Sequence, residues 1–323
     1  MAPLLSVVVC MYNEQDALGP LTARLRPALD SITADYEVVA IDDGSTDDTA
    51  RLVEKLMADW PQVRLVRLRR NAGHQAALTA GLARARGAYV VSIDADLQDP
   101  PEKIGEMLDL ARREHLDVVY GVRVDRGTDT VFKRGTAGLY YRLMRRIVGS
   151  WVPRDAGDFR LLSRTAVDAL AALPDHQPVY RLLVPSLGLP SGTVDYVREE
   201  RVAGTTKYPL GTMIRLAVDS VTNFSAAPLR LATWLGALSF CFCLVMIAFG
   251  VVVYAAGSTV PGWTSLFVAI LFLGALQLTC LGLLGEYVAR IYSTLQARPT
   301  YHVGSDSAVP AIRAEGPRPK THA

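Results

Sequence analysis

Short β-branched and apolar runs alternate, through the first part of the chain, with stretches of helical length whose apolar positions share one face. Strands are predicted at Leu4 to Met11, Tyr36 to Ile41, Val63 to Leu68, Ala88 to Ile93 and Asp117 to Tyr120, with helices starting near Asp16, Thr46, His74 and Pro101. This alternation predicts an α/β domain with a mostly parallel sheet, which takes ligands at the carboxyl ends of its strands. Past Gly121 the pattern loosens. There follow a basic helical stretch from Thr130 to Val148, a short apolar segment from Asp158 to Leu162, a helix capped by Ser163 and a strand-like Gly192 to Arg198.

The second pattern is a charge gap. From Leu231 to Gly285 no Asp, Glu, Lys, Arg or His occurs, and residues 231–256 and 263–284 are each long enough to cross a hydrocarbon core of about 30 Å. The connecting residues 257–262 carry no basic side chain, whereas Arg230, Arg290 and Arg298 flank the other ends. The positive-inside bias therefore places both ends of this transmembrane hairpin in the cytoplasm. Ile214, Ala217, Val218 and Val221 share one helical face just before it, as in a helix lying at the headgroups. A core-packed helix would show the same face. The expected organisation is a cytoplasmic soluble domain over 1–208, a juxtamembrane amphipathic segment over 209–228, two spans within 229–285 and a cytoplasmic segment over 286–323. The polar tail after Val303 is expected to be disordered.

Composition adds mainly exclusions. A net charge of +2 and the absence of a basic, aromatic-lined stretch argue against nucleic acid as a partner. Cys10, Cys241, Cys243 and Cys280 lie in apolar runs without zinc-type spacing, and read as small buried hydrophobes. The amino terminus lacks a secretory signal, and its first apolar run is too short to span a bilayer.

The candidate chemistry gathers at predicted strand ends. Ser92-Ile93-Asp94-Ala95-Asp96-Leu97-Gln98-Asp99 sets two carboxylates just past an apolar strand. Mg²⁺ or Mn²⁺ takes oxygen ligands and is held by one or two carboxylates when phosphate oxygens complete its shell, so Asp94 and Asp96 suit a nucleotide-bound cation. Asp42 and Asp43 end another strand; helix capping by Ser45 or Thr46 does not explain them, and they offer acceptors to a ribose or base. Tyr12, Asn13 and Glu14 end the first strand with a ring to stack and polar groups to read. Arg69, Arg70, Asn71, Ala72, Gly73 and His74 follow the third.

Together these motifs resemble the family-2 GT-A glycosyltransferases, and within them the polyprenyl-phosphate branch of dolichyl-phosphate mannose synthases and bacterial polyisoprenyl-phosphate glucosyltransferases. The resemblance extends to about Val303 and implies a Rossmann-like GT-A domain followed by a two-helix transmembrane hairpin in the inner (plasma) membrane. It implies a nucleotide pocket of Tyr12, Asn13, Glu14, Asp42, Asp43, Asn71, Asp94, Ala95 and Gln98, with the metal on Asp94 and Asp96. Arg123 and Arg126 match the family's lipid-phosphate residues, and arginine's planar fork suits phosphate. Lys133 and Arg134 read better as a solvated helix face. Arg201, Lys207 and Tyr208 match a loop that closes over the diphosphate. Asp158 matches an Asp assigned as base or acceptor-positioning group; an ionised lipid phosphate needs little help from a base, which favours orientation.

The implied reaction is an inverting, metal-dependent transfer from a nucleotide diphosphate sugar to a polyprenyl phosphate for cell-envelope glycosylation, by a homo-oligomer. UDP-glucose is the favoured donor, with GDP-mannose the alternative. A processive synthase would bring more spans and a Gln-x-x-Arg-Trp motif, and a dehydrogenase would bring Gly-x-Gly-x-x-Gly after the first strand; neither is present. The alternative from another class is a non-catalytic membrane sensor of nucleotide sugars, which loss of Asp94 and Asp96, or of Arg123 and the Arg201–Lys207 loop, would have favoured; all are intact. His74, His115 and His176 lack a spacing that pairs them with a nucleophile, and read as surface or structural residues.

Overall fold

A computed structural model describes residues 2–124, 156–173, 178–199, 227–255, 262–296 and 299–308. Among these, residues up to 199 and from 299 onward form one compact unit, and 227–296 belong to a second.

The first unit is built on strands β1 (Leu5–Met11), β2 (Tyr36–Asp42), β3 (Val63–Leu68), β4 (Tyr89–Asp94), β5 (Val118–Arg123), β6 (Ala156–Ser163), β7 (Ser191–Tyr196) and β8 (Val303–Asp306). They form one eight-stranded sheet in the order β7-β5-β6-β4-β1-β2-β3-β8. All run parallel except β6, antiparallel to β4 and β5, and β8, antiparallel to β3. Every residue of β1 is buried, as a central strand covered on both faces requires. The cover comes from α1 (Leu18–Ile32), α2 (Thr49–Asp59), α3 (His74–Leu82), α4 (Lys103–Glu114), α5 (Arg164–Ala171) and α6 (Tyr180–Ser186). Leu18, Leu21, Leu25 and Leu29 give α1 its buried face, and Ile104, Met107, Leu108 and Ala111 do the same for α4.

The mostly parallel sheet with covering helices is the expected architecture. Its strands match the apolar runs to within three residues, while most helices begin later than their polar leaders suggest. Asp47 Oδ1 accepts from the Thr49 N–H in the turn before α2, and the carbonyls of Pro100 and Pro101 accept from Lys103 and Ile104 before α4. Ser163 caps α5 as expected, its hydroxyl accepting from the Ala166 N–H at 3.1 Å. The segment from Asp158 to Leu162 is more than a short apolar stretch: as β6 it enters the sheet between β4 and β5. Its reversed direction brings its first residues to the edge where the parallel strands end. The disorder expected after Val303 does not apply to the first residues of that tail. Val303–Asp306 pair with β3, and Arg84 Nε lies 3.2 Å from Asp306. A polar strand suits a sheet edge, where one side of the ladder faces water.

The second unit contains α7 (Ala227–Ala255) and α8 (Trp263–Leu295), a two-helix hairpin. At 29 and 33 residues the helices are about 44 and 50 Å long. Trp234, Leu238, Phe240, Phe272 and Leu278 on them are exposed. Among the described residues one helix is long and apolar enough to cross a membrane, through Phe272–Ala289, and Ala232–Phe242 is a shorter apolar stretch.

Candidate active site

Register carries the strand ends to one edge. Met11 pairs with Asp42, Cys10 with Asp94 and Asp42 with Arg67, so the polar residues that follow β1, β2 and β4 emerge side by side. The turns after β1 and β2 are cross-braced. Asn13, at φ 54°, donates its N–H to Ser45 Oγ at 2.9 Å, and its Oδ1 accepts from the Thr46 N–H at 2.9 Å. The Glu14 N–H donates to Thr49 Oγ1 at 2.9 Å. Gly44, at φ +67°, lies where a Cβ would come within 2.5 Å of the Arg70 carbonyl carbon.

Asp42 and Asp43, expected to face a ribose or base, take protein partners first because both are buried. Asp42 Oδ1 accepts from the Ser45 N–H at 2.9 Å, and Arg67 Nε lies 3.0 Å from Oδ2. Asp43 accepts from the N–H groups of Ala72 and Gly73 at 2.7 and 2.9 Å, fixing the loop that carries exposed Asn71. Tyr12 and Glu14 are half-buried at the same edge.

After β4 the chain turns sharply. Asp96 Oδ1 accepts from the Gln98 N–H at 3.1 Å, and Leu97 between them is buried at φ 59°, a left-handed geometry costly for a branched side chain and typical of functional turns. Burial pushes Asp94 up to about 6; His74 pulls against this, and repulsion from Asp158, Asp99 and Asp96 adds to it. Among the described residues no three His, Cys, Asp or Glu side chains form a ready-made metal cage. A strand-end carboxylate pair in a field of like charge fits a hard divalent cation that a diphosphate helps to hold.

Behind this pair lies a network the sequence concealed. His74, at the first position of α3, is half-buried and faces two carboxylates: Nε2 lies 3.2 Å from Asp158 Oδ2 and Nδ1 lies 3.7 Å from Asp94 Oδ1. Burial works against its proton, but the Asp158 hydrogen bond and the charges of Asp94 and Asp158 outweigh it and hold His74 up at about 9. Arg160, 2% exposed, donates to Asp158 Oδ1 at 2.7 Å and to the carbonyls of Gly157 and Tyr180 at 2.9 and 2.8 Å. Gln75 Nε2 lies 3.4 Å from Asp158 Oδ2, and its Oε1 accepts from the Tyr180 N–H. Burial alone would raise Asp158; His74, Arg160 and Arg181 reverse that and hold it well below the usual carboxylate range. His115 is structural, taking φ 51° as the cap of α4.

Arg123 ends β5 at the same edge. Its Nε donates to the Tyr196 hydroxyl at 2.9 Å and its guanidinium lies 3.7 Å from buried Asp99. A Cβ on Gly157 would stand 2.9 Å from the same guanidinium, which places Arg123 beside the Asp158 strand. Arg126, Lys133, Arg134, His176, Arg201, Lys207, Tyr208 and the segment 211–224 lie outside the described residues. Sequence reasoning missed Gln75 and Tyr196, and brought His74 and Asp99 to the strand ends without giving either a role. For His74 a signal existed: it directly follows the polar loop at a parallel strand's carboxyl end.

Residues 6–171 match the family Glycosyl transferase family 2, and residues 227–291 match the GtrB C-terminal hairpin. The chain is 39% identical to the glycosyltransferase YkcC of Bacillus subtilis over 92% of each chain. It is 37% identical to the SfII prophage-derived bactoprenol glucosyl transferase of Shigella flexneri, over 92% of this chain and 96% of that one. Among solved structures, glucosyl-3-phosphoglycerate synthase from Mycobacterium tuberculosis in complex with Mn²⁺, uridine-diphosphate and phosphoglyceric acid has the same fold. It superimposes with a TM-score of 0.50 at 23% identity over 68% of this chain and 76% of that one.

Proposed function

The chain belongs to glycosyl transferase family 2 and is a glycosyltransferase, and from that premise we propose that it moves a sugar from a nucleotide diphosphate onto a polyprenyl phosphate. The observation that carries this reading is the meeting of two kinds of site at one sheet edge. An acidic strand end, Asp94 and Asp96, suits a cation and a diphosphate, and Arg123, anchored on Asp99 just past it, suits a second phosphate. Bactoprenol glucosyl transferases among the relatives favour a polyprenyl acceptor and glucose, and UDP-glucose is the donor proposed.

In this reading Tyr12, Asn13, Glu14, Asp42, Asp43 and Asn71 border the nucleoside, Ala95 and Gln98 line the diphosphate, and Arg123 with Arg126 receives the acceptor phosphate. Arg201, Lys207 and Tyr208 supply further diphosphate contacts. Mg²⁺ or Mn²⁺, held by Asp94 and Asp96, would neutralise charge on the departing diphosphate. A phosphate oxygen of the acceptor bonds to the anomeric carbon from the face opposite the diphosphate, the anomeric carbon–oxygen bond to the diphosphate breaks, and the configuration inverts. A phosphate monoester has a second pKa near 6, so the attacking oxygen carries no proton to remove at neutral pH. Asp158 is accordingly an orienting group: His74, Gln75 and Arg160 already surround its carboxylate. Holding both phosphates in place contributes to the rate by bringing the reacting atoms together.

The hairpin is proposed to cross the bilayer twice, over about 231–256 and 263–284. Its flanking arginines support a cytoplasmic side of the plasma membrane for the 1–208 domain, the 209–228 segment and the 286–323 segment. The test is incubation of the full chain with Mn²⁺, undecaprenyl phosphate and radiolabelled UDP-glucose or GDP-mannose, followed by extraction. Label is expected in the organic phase from UDP-glucose, absent with EDTA and absent for Asp96→Ala. Transfer by Asp96→Ala at the wild-type rate would remove the metal assignment, and no label from either donor would remove the acceptor.

A further inference from the structure

Arg123 is the cation the proposed function assigns to the acceptor phosphate, and its neighbours in the structure hold it in place. Asp99 lies just past the Asp94–Asp96 turn and is buried, with 2% of its surface exposed. The Tyr196 hydroxyl, at the end of β7, donates to Asp99 Oδ1 and accepts from Arg123 Nε at 2.9 Å. Asp99 Oδ1 also lies 3.7 Å from the Arg123 guanidinium, so carboxylate, phenol and guanidinium form a closed triangle. The Tyr196 ring has little freedom: Phe159 stands edge-on to it at 5.5 Å and 89°, and a Cβ on Gly121 would come within 2.6 Å of Phe159 and 3.1 Å of Tyr196. Gly157 leaves the opposite side open for the guanidinium. The end of β7 is tied down again at Gln98, whose carbonyl accepts from the Glu199 N–H at 3.3 Å and whose Oε1 accepts from Arg198.

We propose that Asp99, acting through Tyr196, is a positioning residue that holds the Arg123 guanidinium for the acceptor phosphate and thereby couples the acceptor side of the site to the metal-binding turn. This rests on the reading of Arg123 as a phosphate ligand. Asp99 is buried, and its role here is exerted through Tyr196 and Arg123. Tyr196 takes the Nε donor and Asp99 lies 3.7 Å from the guanidinium, so one edge of it is held, and arginine's planar fork makes that aim matter as much as its charge. The coupling is built from residues far apart in sequence, 97 positions between Asp99 and Tyr196 and 73 between Arg123 and Tyr196. A shift of the Asp94–Asp99 turn moves the arginine with it.

The test is a double-mutant cycle on the full chain, with undecaprenyl phosphate as the varied acceptor, UDP-glucose saturating and Mn²⁺ present; UDP and Mn²⁺ binding are measured separately by calorimetry. Arg123→Ala is expected to raise the acceptor KM about tenfold or more, since a hydrogen-bonded charge is removed. Asp99→Asn is expected to raise the same KM several-fold with UDP and Mn²⁺ affinities within twofold of wild type, and to have no further effect when combined with Arg123→Ala. Tyr196→Phe removes only the bridging hydroxyl and should shift KM in the same direction by about threefold, which carries the test if Asp99→Asn does not fold. An unchanged KM for Arg123→Ala would overturn the phosphate reading itself. A normal Arg123→Ala effect with an unchanged Asp99→Asn and Tyr196→Phe KM, with additive effects in the double variant, or with lost Mn²⁺ binding by Asp99→Asn would overturn the positioning role alone.

Discussion

Replacing Arg160 by Met tests whether the buried ion pair under the site stabilises the domain or merely occupies it. Methionine keeps much of the side chain's length but leaves three acceptors without their donor: Asp158 Oδ1 at 2.7 Å, the Tyr180 carbonyl at 2.8 Å and the Gly157 carbonyl at 2.9 Å. Asp158 keeps His74 at 3.2 Å and Gln75 at 3.4 Å, so its charge is weakened in support but not abandoned. Breaking a buried pair by removing one partner costs about 3–5 kcal/mol, because the surviving charge remains out of water. For a domain of this size each kcal/mol lowers Tm by about 2–4 °C, so Arg160→Met is expected to melt about 6–20 °C below the parent. Thermal unfolding followed by tryptophan fluorescence, to which buried Trp60 contributes, measures the shift. Arg160→Lys keeps the charge but not the fork and should fall between the two. A loss below about 2 °C for Arg160→Met would mean that the network does not hold β6 to α6, and the argument from buried charge would fail.

Two further substitutions probe the same edge. His74→Ala removes the imidazole between Asp94 and Asp158, and steady-state kinetics with undecaprenyl phosphate should show kcat down at least about tenfold with the melting temperature within a few degrees of wild type; an unchanged kcat would make His74 a bystander. Gly44→Ala forces a side chain into a left-handed turn at φ +67°, where its Cβ meets the Arg70 backbone at 2.5 Å. The conformation alone costs about 1–2 kcal/mol. Together with the displaced backbone this should lower Tm by about 4 °C or more, and no shift would show that the turn after β2 yields.

Much of the fold is legible because it is local. The run from Leu5 to Met11 is almost wholly apolar and buried on both faces, and a central parallel strand needs nothing else to be recognised. The Asp94–Asp96 turn shows itself because it follows such a run. What stays hidden depends on partners distant in the chain. Arg160 reads as a charge inside an apolar stretch until β6 is seen to run antiparallel beside β4, with Arg160 opposite Ser92. Asp99 looks like one more acidic residue in a helix leader until β7 brings Tyr196 to it. The strand after Val303 could not be found by composition, since its sequence is polar and its pairing is set by the exposed side of β3.

That closing strand bears on how the protein is made. β3 emerges from the ribosome early, yet its outer side finds a partner only when residues 303–306 arrive, after the entire hairpin has been translated. Throughout that interval the nascent sheet presents a free row of backbone donors and acceptors. Maturation of the sheet-bearing unit is thus timed to completion of the helical one, and a chain stalled or cleaved within α8 would be left with an adhesive flank, an easy mark for chaperones and proteases.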